Sequence, residues 1–279
     1  MVANVAAAGR RPAFGTWLTW ALLVVFLVNL AGVIGSVLAD SFATHWFDSW
    51  FPEGFTAKWY GSAWNDFGLG DVLTTTVEVA VLVMAVSLVL GVPAAYVLAR
   101  RDFPGKRVVM LCVLLPMVVP PITYGIPFAT VLYTLRLGGT MAGVVTANMV
   151  PMLPFMILVM TPFIEQIDVN VERAARMCGA GTWQVFGRIL LPLLVPGMLA
   201  AAIMVLVRTV ATFELTFLTS GPRTQTLVVG LYYQIFGAGI RAPQAIDAMA
   251  VVYALSTLVL IVVALRFVNP TQLVSQIRE

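Results

Sequence analysis

Charge is scarce in this chain: aspartate, glutamate, lysine and arginine together make up 10% of its 279 residues, while 60% are hydrophobic. Soluble domains carry about 25% charged residues, because a folded surface must be covered by groups that water accepts. The scarcity excludes a soluble globular domain and points to an integral membrane protein. Histidine is nearly missing. His45 is the single one, so the commonest general base and metal ligand is lacking. Cys112 and Cys178 are too few and too far apart for a disulfide framework or a thiolate metal site. The phosphate-loop pattern G-x-x-x-x-G-K-[ST] is absent, since the step Gly105–Lys106 is followed by Arg107. HExxH and GxSxG are absent too. These absences argue against an enzyme and against ATP hydrolysis on this chain. A net charge of +3 without a basic cluster argues against nucleic-acid binding.

Long apolar runs are what the chain does have. A spanning helix needs about 20 mostly apolar residues. Six stretches qualify: Trp17–Ala39, Thr74–Leu98, Val108–Tyr133, Met141–Ile164, Leu193–Leu218 and Ala245–Phe267. The first exceeds the roughly 7–15 apolar residues of a signal peptide and reads as an uncleaved helix. Direction follows from lysine and arginine near the span ends. With the N-terminus inside, eleven fall on inner segments: Arg10, Arg11, Arg100, Arg101, Lys106, Arg107, Arg173, Arg176, Arg188, Arg266 and Arg278. Four fall outside, Lys58, Arg136, Arg223 and Arg241, and Arg208 lies within a span. Both termini, 1–16 and 268–279, are then cytoplasmic, flanking a six-span domain over 17–267.

The outer segment Asp40–Asp71 is rich in acids and in aromatics: Trp46, Phe47, Trp50, Phe51, Trp59, Tyr60 and Trp64. Such residues favour the headgroup layer; docking of a soluble partner is the alternative. Pro116, Pro120, Pro121 and Pro127 fall in the third span, and Pro151, Pro154 and Pro162 in the fourth. Each removes a backbone donor and kinks its helix, as a pathway that opens and closes would use. Charges inside spans are costly and mark functional positions by default. Glu78, Arg208 and Glu214, with Thr212 beside the last two, are candidates to line that pathway. A snorkelling arginine and an interfacial carboxylate are the plainer reading.

One charged break interrupts the apolar sequence. "VERAARMCGAGTWQVFGRILLPLLVPG", Val171–Gly197, begins in the inner loop 165–192 between the fourth and fifth spans. Asp168 is an N-cap candidate. Val171, Ala174, Ala175 and Cys178 then share one face of a short helix, with Arg173 and Arg176 elsewhere. Gly179 and Gly181 break it. Thr182 can cap a second helix bearing Trp183, Phe186, Ile189 and Leu190, with Pro192 at the membrane entry. Periodicity leaves two uses open: lying on the bilayer or fitting a groove on a partner.

This stretch resembles the cytoplasmic signature of permease subunits of binding-protein-dependent ABC importers: Glu-Ala-Ala, three residues, Gly, nine residues, Ile, one residue, Leu-Pro. Ala174, Ala175, Gly179, Ile189, Leu191 and Pro192 match in order. Arg173 occupies the glutamate position and Glu172 stands one residue earlier. The "RRDFPGKR" loop and the six spans are also similar to this family. The resemblance implies an all-α fold, the six-helix transmembrane domain of a type I importer. It implies that the loop, with Glu172, Arg173, Ala174, Ala175, Gly179, Ala180, Ile189, Leu191 and Pro192, docks on an ATP-hydrolysing subunit and couples it to the spans. It further implies two ATPase copies holding the ATP and magnesium, no cofactor on this chain, a second and non-identical permease, an extracytoplasmic binding protein and a bacterial inner-membrane location. "QTLVVGLYYQIF" and "WFPEGFTAKWY" are similar to a subgroup handling polyamines, ferric iron and aminoethylphosphonate, so a polyamine or an opine-like amine is the expected cargo. A self-sufficient secondary transporter or channel is the competing reading.

Overall fold

The computed structural model describes residues 14–46, 49–237 and 242–267. Phe47, Asp48, Arg10, Arg11, Arg241, Arg278 and both terminal segments lie outside that range. The chain divides into two compact units, one holding residues up to 63 with 241–251, the other holding the rest.

In the first unit, α1 (Phe14–Ser41) is apolar and exposed along almost its whole length. The chain after it turns back on itself through an antiparallel bridge between Ala43 and Phe55. Two aromatics of the outer segment fold inward here. Trp59 Nε1 donates to the Ala43 carbonyl at 2.6 Å, and Tyr60 OH lies 2.8 Å from Ser41 Oγ. Trp50 and Phe51 stay 94% and 81% exposed at the tip, so only part of the aromatic set is free to meet headgroups or a partner.

Lys58–Asp66 (α2) leads into α3 (Leu69–Arg100), the central helix of the second unit. There follow α4 (Lys106–Val118), α5 (Pro121–Thr134), α6 (Met141–Glu165), α7 (Val169–Met177), α8 (Thr182–Val185), α9 (Leu191–Ala211), α10 (Glu214–Thr219), α11 (Leu227–Phe236) and α12 (Pro243–Phe267). α3 packs on α6 and α9, which also pack on each other. Gly91 permits the α3–α6 approach: a Cβ there would stand 2.5 Å from Met156 Cγ. Val83, Val92, Met156, Met160 and Leu194 fill the core between them.

Five helical runs among the described residues are long and apolar enough to span a bilayer, and the α4–α5 pair makes a sixth. Two expected spans are corrected. The third is not one kinked helix: α4 and α5 meet at a 100° bend. A residue before proline is pushed out of the helical region, and Pro120–Pro121 imposes this twice in a row. Val119 and Pro120 are both extended (ψ 132° and 131°), and Pro121 then opens α5, where its missing N–H costs nothing. The fifth span ends at Ala211, not Leu218, because Thr212 turns extended and α10 starts afresh at Glu214. By contrast α6 absorbs Pro151, Pro154 and Pro162 within one helix.

Candidate functional site

The charged break folds into a helix pair. Asp168 caps α7, its Oδ1 accepting from Asn170 N at 2.9 Å, which satisfies a donor that the first turn leaves free. The helix ends in a Schellman turn: Ala180 N donates to the Ala175 carbonyl and Gly179 N to that of Arg176. Gly179 takes the left-handed conformation, φ 86°, which an L-residue with a Cβ resists. Gly181 sits at φ −70°, open to any residue. It is Gly181, not Thr182, that occupies the cap of α8, with its N–H donating to Gln184 Oε1 at 2.9 Å.

From Thr182 to Ala211 the helix is continuous. A π-helical turn, Phe186–Leu190, joins α8 to α9, with Leu191 N donating to the Phe186 carbonyl. The widened turn precedes Pro192, whose ring would otherwise press on the carbonyl of Arg188 and whose N–H is missing. The helix thus passes Pro192 without a break, and α8 is a rigid extension of α9.

The sequence sets Glu172 among the residues facing an ATPase subunit; the structure turns it inward. Glu172 is 4% exposed. Its Oε2 accepts from Tyr96 OH at 2.9 Å, its Oε1 lies 2.8 Å from Arg100 Nε, and Arg176 Nη2 stands 3.8 Å from Oε2. Arg100 also donates to the Ile167 carbonyl, and the Tyr96 ring lies 5.4 Å from that of Phe186. Burying a carboxylate is costly unless its oxygens are paired and hydrogen-bonded: Tyr96 hydrogen-bonds Oε2, while Oε1 pairs with the Arg100 charge without an aligned hydrogen bond. Tyr96 and Arg100 were not legible as site residues, since Arg100 reads only as a basic loop end.

The outward surface of α7 and α8 is mixed. Asn170, Val171, Arg173, Ala174 and Cys178 are exposed, Met177 is 89% exposed and Trp183 83%. The expected apolar face divides: Ala175 packs inward with Ala180 against the core, while Val171, Ala174 and Cys178 look out. Ile189 and Leu191 are half-buried and Pro192 is exposed.

The candidate pathway residues do not form one helical row. Glu78 is exposed on α3, in line with Thr74, Val81, Leu82 and Ala85. Arg208 is exposed on α9, its guanidinium 4.5 Å from the centre of the Phe155 ring. Thr212, half-buried, occupies the break after α9, its hydroxyl donating to the Arg208 carbonyl at 2.9 Å. Glu214, also half-buried, opens α10. No group of three or more His, Cys, Asp or Glu able to hold a metal occurs among the described residues.

Residues 87–269 match the family model described as "Binding-protein-dependent transport system inner membrane component". The chain is 29% identical over 189 residues to the diacetylchitobiose uptake system permease protein of Streptomyces coelicolor, covering 66% of this chain and 60% of that one. It is 29% identical over 207 residues to the molybdenum transport system permease protein of Haemophilus influenzae, covering 68% and 90%. In fold it is similar to a chain of a bacterial ABC transporter involved in the import of the acidic polysaccharide alginate, with a TM-score of 0.73, 18% identity and coverage of 90% and 95%. An inward-facing methionine ABC transporter gives a TM-score of 0.56, 21% identity and coverage of 71% and 92%. The relatives are permease subunits, and the family model spans well over half of the sequence. The chain therefore belongs to the inner membrane component family of binding-protein-dependent transport systems.

Proposed function

We propose that the chain is the pathway-forming permease subunit of an ATP-driven importer, coupled to separate ATPase subunits through α7 and α8. The observation that carries this is the outward surface of that helix pair. Met177 stands exposed on α7 among Arg173, Asn170 and Ala174, and Trp183 stands exposed on α8, the rigid extension of a spanning helix. A mixed polar and apolar surface with small residues suits a protein groove better than the acyl boundary, where an amphipathic helix presents an unbroken apolar face. Two ATPase copies, a second, non-identical permease and a binding protein at the outer face complete the assembly, with both termini of this chain in the cytoplasm.

The test is purification of the tagged chain from its native membrane in mild detergent, with Met177→Asp and Trp183→Asp compared with the unaltered protein. An ATPase subunit should accompany the native chain and be lost from both variants. If it stays with both, the docking surface lies elsewhere. If the native chain emerges alone and takes up solute without ATP, it is a secondary transporter or channel.

The cargo we propose is a small polar solute bearing both charge signs, such as an opine-like amine. Support comes from Arg208 and Glu78, both exposed on helices read as spans, where a charge needs water or a partner of opposite sign. The relatives named above take other cargo. Uptake of labelled octopine, putrescine, molybdate and diacetylchitobiose by reconstituted complex separates the classes. Octopine uptake that falls in both Arg208→Gln and Glu78→Gln supports the reading; transport of molybdate or the disaccharide alone rejects it.

A further inference from the structure

The inward turn of Glu172 has a use that docking does not explain. We propose that Tyr96, Arg100 and Glu172 form a buried joint that makes the cytoplasmic end of α3 travel with α7, so that Glu172 is a positioning residue and not a contact for the ATPase subunit. The proposal rests on the reading that α7 and α8 dock on that subunit.

The joint ties together parts that are remote in sequence. Tyr96 and Glu172 are 76 positions apart. The side chains of Arg100 and Glu172 are 10% and 5% exposed, and Tyr96 is 6% exposed, so water does not screen the pair as it would at a surface. Besides this charge pairing, Arg100 Nη2 donates to the Ile167 carbonyl, in the turn that leads into α7. Tyr96 also lies against Phe186, in the π-helical turn beyond α8. One patch at the end of α3 therefore holds the start of α7, its first helical turn and the root of α9.

Two routes then lead from the docking surface into the membrane. One is covalent, along the continuous helix Thr182–Ala211. The other is the ion pair to α3. Because α3 packs along α9 and α6, a load placed on α7 reaches both helices at once and their packed surfaces move together. Without the joint, only α9 is pulled, and the α3–α9 contact has to slip.

Distance measurement between paired spin labels tests this. Exposed Cys112 and Cys178 are replaced by serine, and labels are placed at Val169→Cys, exposed on α7 outside the docking residues named above, and at Val89→Cys on α3. Distances are read in the assembled complex, nucleotide-free and trapped with ATP and vanadate. The unaltered joint should give one narrow distance, the same in both states. In E172Q and R100Q the distance should lengthen on trapping, a nucleotide-dependent shift that mere loosening would not produce. The swap R100E/E172R should restore the fixed distance; where the swap does not fold, Tyr96→Phe, which removes one hydroxyl, should give a smaller shift in the same direction. A distance in E172Q that stays fixed in both states overturns the joint, as does one that changes on trapping in the unaltered protein. Loss of the ATPase subunit from E172Q, with the label distance of the isolated chain unaltered, also overturns it and makes Glu172 a docking contact. If no ATPase subunit joins even the unaltered chain, the coupling function fails. The joint is then judged on the isolated chain, where identical distributions for E172Q and the unaltered protein overturn it.

Discussion

Glu172 and Glu78 exchange the places that their surroundings would assign them. Glu172 belongs to the most polar stretch of the chain and is buried. Glu78 belongs to one of the most apolar and is exposed. In a soluble protein a carboxylate drifts to the surface because water is there. Here the surface of a span is hydrocarbon, another subunit or an aqueous path, and exposure says nothing by itself about solvation. What decides each position is the partner. Glu172 is met by its own from α3, and Glu78 has none among the described residues.

The comparison can be broken most forcefully at Arg100. Arg100→Met leaves Glu172 buried beside a single hydroxyl and a distant guanidinium, and should cost about 3–5 kcal/mol, read as a lowered unfolding midpoint in detergent. The double change Arg100→Met with Glu172→Leu should recover most of that loss; a double variant no better than the single one would show that the pair matters for something besides its charge. Next in size is Gly179→Ala, expected to cost about 1–2 kcal/mol because of its left-handed backbone, since a Cβ there meets nothing within 4 Å. Gly181→Ala, at an ordinary φ, carries no left-handed strain and should cost less, about 0.5 kcal/mol, for a poorer cap on α8. Asp168→Ala removes the cap of α7 and should lower stability by about 1 kcal/mol. The smallest stability effect belongs to Glu78→Gln, under about 0.5 kcal/mol for a residue with no partner among the described residues. Its contrast with Glu172 is sharpened by reactivity. With Cys112 and Cys178 replaced by serine, Glu78→Cys should react with a membrane-impermeant maleimide far faster than Val89→Cys; equal rates would place Glu78 against lipid.

Much of this arrangement is legible in the sequence, and the gaps have physical causes. Met141–Ile164 predicts α6 to within one residue at its far end, because an apolar run between a capping threonine and a charged end leaves few options. Pro120–Pro121 announces a disturbance, but proline dictates only local φ and ψ. The 100° change of direction depends on contacts remote in sequence, since α4 packs on α6 and α5 chiefly on α10. The break at Thr212 has no such marker. Val210–Leu218 contains neither glycine nor proline, so hydropathy runs straight through the end of α9. The signature of the coupling loop locates the helix pair, the Asp168 cap and the Gly179 turn, all settled within a few residues. It does not show the inward Glu172, whose partners lie in another helix.

The helix from Thr182 to Ala211 has 30 residues, about 45 Å at 1.5 Å each, against a hydrocarbon layer about 30 Å thick. The excess at its Thr182 end is a handle whose heading is a matter of angular phase. Each α-helical residue adds about 100°, so removing one residue between Trp183 and Leu191 would swing Trp183 by that angle about the axis, relative to the face bearing Met204 and Arg208. The π turn, with one residue more than an α turn, is already such an offset. The compass direction in which the handle points is thereby fixed by residue count, and a single insertion or deletion could silence the docking surface without altering any side chain on it.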